Sequence, residues 1–304
     1  MSRTRRNCLA VDGVLLLDKP AGLTSNAALQ ACKRALNACK AGHTGSLDPI
    51  ATGLLPLCFG EATKVTQFLL DADKRYRAVF RLGQETTTYD GEGEVVAQAP
   101  VTATAREVER ALKRFEGRIE QVPPMYSAIK RGGEPLYKLA RAGVEVPRES
   151  RPVEIYAIRM LSLADERLEL EIDCSKGTYI RSLAHDLGEV LGCGAHVASL
   201  RRLTVGSLSV DDAISLDRFE RLDEAGRRAA LKGADIMVQD LPDVQLTPLA
   251  AHYLRQGQAV SARHGLASGW VRLYEEGRRF LGMGQVLDDG RVAPRRLLGL
   301  SSRD

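Results

Sequence analysis

The alternation of apolar and polar positions predicts a chain in which strands and helices are mixed. Residues 13–20 (GVLLLDKP) are a buried-strand run closed by proline, and residues 74–83 (KRYRAVFRLG) and 167–174 (RLELEIDC) alternate as half-buried strands do. Residues 178–192 carry apolar side chains at helical spacing, and Gly192 is placed to end that helix. Because no steady βαβ rhythm appears, the pattern predicts an α+β fold with a mixed, largely antiparallel central sheet flanked by helices.

Further helices are predicted by their start signals. Thr24 or Ser25 can cap a helix whose apolar face is Leu29, Cys32, Leu36 and Cys39. The sequence TARE at 104–107 is a capping box, and 62–70 fits a short helix.

Two segments differ from this core pattern. Residues 123–152 are bounded by prolines, contain a glycine pair and carry six basic against three acidic residues, which predicts a surface insertion with a short helix near 135–142. After residue 247 the chain changes to short strands separated by glycines. We therefore predict a large domain over 1–247, including the insertion, and a small β-rich domain over 248–304.

Composition narrows the class of protein. The chain has 304 residues, 44% of them hydrophobic and 27% charged, as in soluble globular proteins. The net charge is only +4, but residues 1–40 hold seven Lys and Arg against two acids, and 248–304 hold nine Arg against five acids. Basic ends suit a polyanionic partner, although such surfaces are common.

Cysteine usage and hydropathy predict an intracellular protein. The six cysteines form no CxxC pair and no zinc-like cluster with histidine, so reduced thiols and no metal are expected. The short apolar run after Arg3, Arg5 and Arg6 is interrupted by acids, and no segment is typical of a membrane span. We expect a cytoplasmic location.

The segment GHTGSLDPIATG, residues 42–53, is the strongest candidate for chemistry. Its three glycines and Pro49 argue against a regular helix or strand. Asp48 is the only carboxylate in the segment, and His43 precedes it by five residues. An Asp-Pro pair often does no more than start a turn; the alternative is a loop that holds one carboxylate rigidly beside a substrate.

Four motifs resemble those of the TruB family of tRNA pseudouridine synthases. They are GVLLLDKPAGLTS, GHTGSLDPIATGLLPLCFGEATK, KRYRAVFRLG and KGTYIRSLAHDLG, spread in order over about the first 205 residues. The segment GMGQVLDDGRVAPRRLL resembles the PUA-like RNA-binding domain of the bacterial members. The resemblance implies the pseudouridine-synthase fold with a PUA-like C-terminal domain. It also implies isomerisation of the T-loop uridine at tRNA position 55, without cofactor or metal.

The resemblance also implies a role for each matching residue. Asp48 would be the catalytic nucleophile, and His43 would contact the flipped substrate. Tyr76 would stack on the target base, with proton transfer as a second candidate role. Tyr179 and Leu200 would line the base pocket, Arg181 would pair with Asp48, and Lys19 and Pro20 would support the catalytic loop. The 123–152 insertion would grip the RNA.

Each of these residues also has an ordinary structural interpretation. Tyr76 and Leu200 fit core positions, Arg181 could pair with any acid, and His43 could hold a turn. The expected partner is the T-loop and T-stem of tRNA, with no membrane, no obligate protein partner and a monomeric state. The alternatives are a tRNA-binding folding factor (RNA chaperone) with dispensable catalysis, and a guide-RNA-dependent relative.

Overall fold

The computed structural model describes residues 8–263, 265–276 and 279–299. Contacts divide the chain into two compact units: the first comprises 1–48, 54–71 and 206–304, and the second comprises 49–53 and 72–205. The proposed boundary at residue 247 therefore stays a prediction.

The strands and helices follow one another as an α+β chain. The strands β1 to β18 are Gly13–Lys19, Ala41–His43, Thr52–Phe59, Lys74–Leu82, Gln84–Thr86, Val95–Gln98, Gly117–Gln121, Lys130–Arg131, Glu134–Pro135, Arg151–Ala164, Arg167–Cys174, Ala195–Val205, Leu208–Ser209, Ile214–Ser215, Asp243–Leu246, Gly269–Glu275, Arg279–Val286 and Val292–Leu297. The α-helices α1 to α8 are Ser25–Ala35, Thr66–Leu70, Ala105–Leu112, Leu136–Arg141, Ile180–Leu191, Leu216–Arg221, Glu224–Ala229 and Pro248–Arg255. Short 3-10 segments lie at Gly60–Val65, Lys113–Phe115, Val210–Asp212 and Ala234–Val238.

An antiparallel sheet forms the centre of the second unit. Its order is β12, β4, β11, β10, β7, and the first residues of β3 pair in parallel with β12 through Thr52 and Gly53. The predicted alternation is confirmed, because one face of β4 is buried and the register pairs it with the buried face of β11: Tyr76, Ala78, Phe80 and Leu82 against Leu168, Leu170 and Ile172. Helices α3 and α5 pack together, and α5 lies against β12.

Helix ends in the second unit follow the predicted signals. The Thr104–Glu107 capping box opens α3. Gly192 ends α5 with φ of 72°, a left-handed conformation that glycine adopts at least cost. The 123–152 insertion holds the β8–β9 hairpin and α4, which confirms its short helix near 135–142.

In the first unit β1 lies between β14, which is parallel to it, and β3. Thr24 caps α1 as predicted, but the helix ends at Ala35, so its apolar face does not extend to Cys39. The chain turns away at Asn37, whose φ is 48°. A four-stranded sheet, β15 to β18, has its own apolar core with α8. Because β15 precedes residue 247, this sheet takes a strand from before the predicted boundary.

The expectation of six reduced cysteines is wrong for two of them. Cys8 and Cys39 form a disulfide, next to the bridge that pairs Leu9 with Ala38. Their spacing of 31 residues matches no recognisable motif, so the pairing depends on the path of the chain after α1. Burial raises the pKa of the thiols of Cys32, Cys58 and Cys174 to about 12, which keeps them protonated. No described helix combines the length and apolar character needed to cross a bilayer.

Candidate active site

The loop that carries Asp48 starts from a short strand. His43 is the last residue of β2 and pairs with Leu57 of β3. The prediction of no regular structure over 42–53 therefore fails at both ends of the segment, at Gly42 and His43 in β2 and at Thr52 and Gly53 in β3. From Thr44 to Ala51 the chain leaves regular structure, as predicted, and Gly45 has φ of 102°. Asp48 and His43 are both half-buried.

Asp48 is placed by the backbone of the residue before it. The buried Ser25 hydroxyl accepts from the Leu47 amide at 2.7 Å and lies 3.0 Å from the Leu47 carbonyl. Ser25 is the first residue of α1, so the position of the carboxylate depends on where that helix starts. The Ser25 hydroxyl thus binds both backbone polar groups of Leu47, one in each of the two peptide groups that flank its Cα, and this fixes the Leu47 backbone next to Asp48.

Lys19 holds the turn that precedes α1. Its side chain is fully buried, and Nζ donates to the carbonyls of Pro20 at 2.8 Å and Leu23 at 2.7 Å. A buried ammonium is tolerated where such acceptors replace its lost water. Lys19 and Pro20 therefore shape the turn that leads to Ser25, which is consistent with the predicted support of the loop.

Three of the predicted base-pocket residues lie in the second unit. Tyr76 lies on β4, is 8% exposed, and its register partners are Ile172 on β11 and Arg202 on β12. Leu200 lies on β12 and is also buried. Tyr179 is the half-buried N-cap residue of α5. The burial of Tyr76 and Leu200 fits both a base pocket and a core position, so their roles stay predictions.

Arg181 is buried among polar partners within the second unit. Its guanidinium donates to the carbonyls of Thr88 at 3.2 Å and Tyr126 at 2.8 Å, and Nε lies 3.7 Å from an oxygen of Asp90. Both side chains are about 5% exposed or less. The predicted pairing of Arg181 with Asp48 stays a prediction.

Asp90 is a candidate functional residue that the sequence did not disclose. Its carboxylate accepts from the Thr88 hydroxyl at 2.5 Å and from the Glu92 amide at 3.1 Å, besides facing Arg181. The neighbouring Tyr89 has φ of 61°, and non-glycine residues in that conformation are concentrated at functional sites. The one signal in the sequence was an Asp-Gly pair, which also marks an ordinary turn.

A cluster of three side chains in the second unit has the composition of a metal site. His185, Asp186 and Glu189 could offer ligand atoms within 4.8 Å of one another. However, the His185 ring already stacks on Tyr89 at 4.0 Å and lies 3.3 Å from Glu85. Burial raises the pKa of Asp186 to about 6.

The insertion presents exposed basic side chains. Lys130, Lys138 and Arg141 are exposed, and the Arg141 guanidinium lies 5.6 Å above the Tyr137 ring. Arg148, by contrast, donates to the Pro123 carbonyl at 3.1 Å and so ties the two ends of the insertion together. A cationic surface with an aromatic ring is suited to a phosphate backbone and unstacked bases.

Comparison with known proteins gives one consistent family. Residues 33–180 match the model described as TruB family pseudouridylate synthase (N terminal domain). Residues 181–239 match the tRNA pseudouridylate synthase B C-terminal domain, and residues 242–298 match Pseudouridine synthase II TruB, C-terminal.

Relatives of full length carry the same name. The chain is 51% identical to tRNA pseudouridine synthase B of Serratia proteamaculans over 98% of each chain. It is 53% identical to the protein of that name from Ectopseudomonas mendocina, over 98% of this chain and 99% of the relative.

Among solved structures, the Cbf5-Nop10-Gar1 complex contains a chain that is 29% identical with a TM-score of 0.70. The match covers 90% of this chain and 78% of that one. An H/ACA RNP bound to a substrate RNA gives 25% identity and a TM-score of 0.72, over 94% and 85% of the two chains. The predicted pseudouridine-synthase fold is confirmed by these neighbours.

Proposed function

Because the chain belongs to the TruB family of pseudouridylate synthases, we propose that it isomerises uridine to pseudouridine in tRNA, at position 55 of the T-loop. The observation that carries the proposal is the GHTGSLDP loop, in which the Ser25 hydroxyl binds both backbone polar groups of Leu47 and thereby places Asp48. A rigidly placed carboxylate is what a nucleophile at a crowded ribose or ring carbon requires.

The reaction breaks the bond from N1 of uracil to C1′ and joins C5 to C1′, while the proton on C5 is lost and N1 gains one, so the product is an isomer of uridine. Asp48 acts as the nucleophile, and the base stays captive while it turns. A glycoside hydrolase would place a second carboxylate as acid or base. Asp48 is the only carboxylate of its loop, which favours isomerisation over hydrolysis.

The base is flipped out of the RNA to reach Asp48. Tyr76 and Tyr179 provide aromatic faces that replace lost stacking, worth about 1–3 kcal/mol per base. Leu200 closes the apolar side of the pocket, and His43 contacts the substrate next to the loop. The pairing of Arg181 with the Asp48 carboxylate is part of this proposal.

The RNA is bound by the exposed basic side chains of the insertion and by the basic C-terminal residues, through phosphates and 2′-hydroxyls. The catalytic chemistry uses protein side chains without a cofactor. We propose that the protein acts as a cytoplasmic monomer without an obligate protein partner.

The test is pseudouridine mapping on an unmodified tRNA transcript, with wild-type protein, D48N and D217N. Wild type and D217N should modify the T-loop uridine, whereas D48N should bind the tRNA within a few-fold of wild type and modify nothing. D217N is a matched control because Asp217 is 71% exposed on α6. Turnover by D48N would remove Asp48 from the nucleophile role, and binding of tRNA by wild type without modification would favour the folding factor.

A further inference from the structure

A buried amide holds the backbone at the start of α5. Gln121, the last residue of β7, is 2% exposed. Its Nε2 donates to the Tyr179 carbonyl at 3.0 Å, and its Oε1 accepts from the Tyr179 amide at 2.7 Å. One side chain therefore satisfies both polar groups of one residue, although the two lie 58 positions apart.

This arrangement substitutes for a helix cap. Tyr179 is the N-cap residue of α5, and its side chain makes no capping hydrogen bond. In a capping box the N-cap amide is bonded by the third helical residue. Here that residue is Ser182, whose hydroxyl donates instead to the Val122 carbonyl at 2.8 Å. Gln121 takes over the bond to the N-cap amide from a different element.

The segment that follows β7 also binds Arg181. The backbone carbonyl of Tyr126, five residues after Gln121, accepts a hydrogen bond from the Arg181 guanidinium at 2.8 Å. Tyr179 and Arg181 are thus both bonded to the segment that leads from β7 into the 123–152 insertion. Because the direction of a side chain follows from its backbone, a shift at this junction changes where both side chains point.

We propose that Gln121 is a positioning residue for the isomerisation: its amide fixes the Tyr179 backbone, and so orients the Tyr179 ring and the start of the helix that carries Arg181. The inference rests on the proposed function, since Tyr179 matters only if it lines a base pocket. Both polar atoms of the Gln121 amide bind the Tyr179 backbone, so Gln121 acts through Tyr179. A displacement of about 1 Å at a reacting site can cost on the order of 100-fold in rate.

The first test compares kcat and KM for wild type, Q121M and E120Q on tRNA. Methionine has nearly the shape of glutamine but makes neither hydrogen bond. We expect Q121M to lose about 10- to 100-fold in kcat, while KM for tRNA stays within about 3-fold, because the RNA-gripping surface is unchanged. E120Q, at the exposed neighbouring position on the same strand, should match wild type. Wild-type kcat in Q121M would overturn the proposal.

A second variant separates positioning from a general effect on folding. The carboxylic acid of Q121E, when protonated, can donate to the Tyr179 carbonyl and accept from its amide as glutamine does, whereas the carboxylate cannot donate. Burial raises the pKa of such a group. The kcat of Q121E relative to wild type should therefore be highest near pH 5.5 and fall about 10-fold or more towards pH 8.5. Parallel pH profiles for Q121E and wild type would overturn the proposal.

A third readout does not depend on activity. Hydrogen exchange at the Tyr179 amide should be slow in wild type and at least about 10-fold faster in Q121M, with the amides of β4 unchanged. Equal exchange rates at the Tyr179 amide in wild type and Q121M would show that Gln121 does not hold the Tyr179 backbone, and would overturn the proposal. If wild-type protein made no pseudouridine, the proposed function would fail instead. The exchange result would still show whether Gln121 holds the Tyr179 backbone.

Discussion

The substitution G53A tests whether the end of the Asp48 loop depends on a position that only glycine can fill. Gly53 has φ of 100° and pairs with Arg202 where β3 runs parallel to β12. A Cβ at this position would lie 2.3 Å from the Arg202 carbonyl oxygen and 2.8 Å from its nitrogen. Both atoms belong to backbone in the middle of a sheet, so they cannot move aside as the tip of a flexible side chain would.

Two effects lower the free energy of unfolding of G53A. A left-handed backbone costs an alanine about 1–2 kcal/mol, and overpacking against fixed atoms costs about 1–3 kcal/mol, which gives a loss of about 2–5 kcal/mol in the free energy of unfolding. With about 2.1 cal/mol/K per residue, the entropy of unfolding for 304 residues is about 0.6 kcal/mol/K. The melting temperature of G53A should therefore fall by about 3–8 °C, measured by calorimetry.

The matched control is G42A in the same loop sequence. A Cβ on Gly42 would meet nothing within 4 Å, and Gly42 is absent from the described positions with positive φ. G42A should therefore melt within about 1 °C of wild type, because the added methyl group meets no neighbouring atom. Equal melting temperatures for G53A and G42A would refute the argument from close backbone approach.

Two further predictions concern charge and the disulfide. Burial raises the pKa of Asp186 to about 6 from an ordinary value of 3.8. Between these values the folded state binds more protons than the unfolded state, so this group makes stability fall as pH rises through that window. D186N should thus melt higher than wild type at pH 7.5, by a margin that shrinks to nothing near pH 4; a constant margin in melting scans would contradict this. The Cys8–Cys39 bond closes a loop of 31 residues, so C8S/C39S should lose about 3–4 kcal/mol in chemical denaturation, and an unchanged midpoint would show that the bond adds no stability.

Much of the fold could be predicted because its signals are local. The period-two pattern of 74–83 predicted β4, the Thr104 and Glu107 pair predicted the start of α3, and Gly192 predicted the end of α5. Each of these signals acts within one turn or one strand, so it can be recognised in the sequence without knowledge of tertiary contacts. The family resemblance then supplied the fold and the catalytic motif, which local patterns alone would have left open between a turn and an active loop.

Three other contacts could not be predicted, because the partners in each are distant in sequence. Asp90 meets Arg181, Gln121 meets Tyr179, and Cys8 meets Cys39 only after the chain has folded. Gln121 in particular occupies the end of an ordinary strand, and nothing in its neighbours distinguishes its buried amide from an exposed one. Periodicity identifies which face of an element is buried, but it does not identify the group that a buried polar atom meets.

In each unit a buried polar side chain binds the backbone at or beside a predicted functional residue. In the first unit, the Ser25 hydroxyl binds the backbone amide and carbonyl of Leu47, the residue before Asp48; in the second, the Gln121 side chain binds the backbone amide and carbonyl of Tyr179. In both cases a buried side chain with a donor and an acceptor holds backbone next to the functional group rather than the functional group itself. A support of this kind restricts position without altering the chemistry of the carboxylate or the ring. Changes at Ser25 or Gln121 should accordingly weaken catalysis through geometry, whereas changes at Asp48 remove the proposed nucleophile.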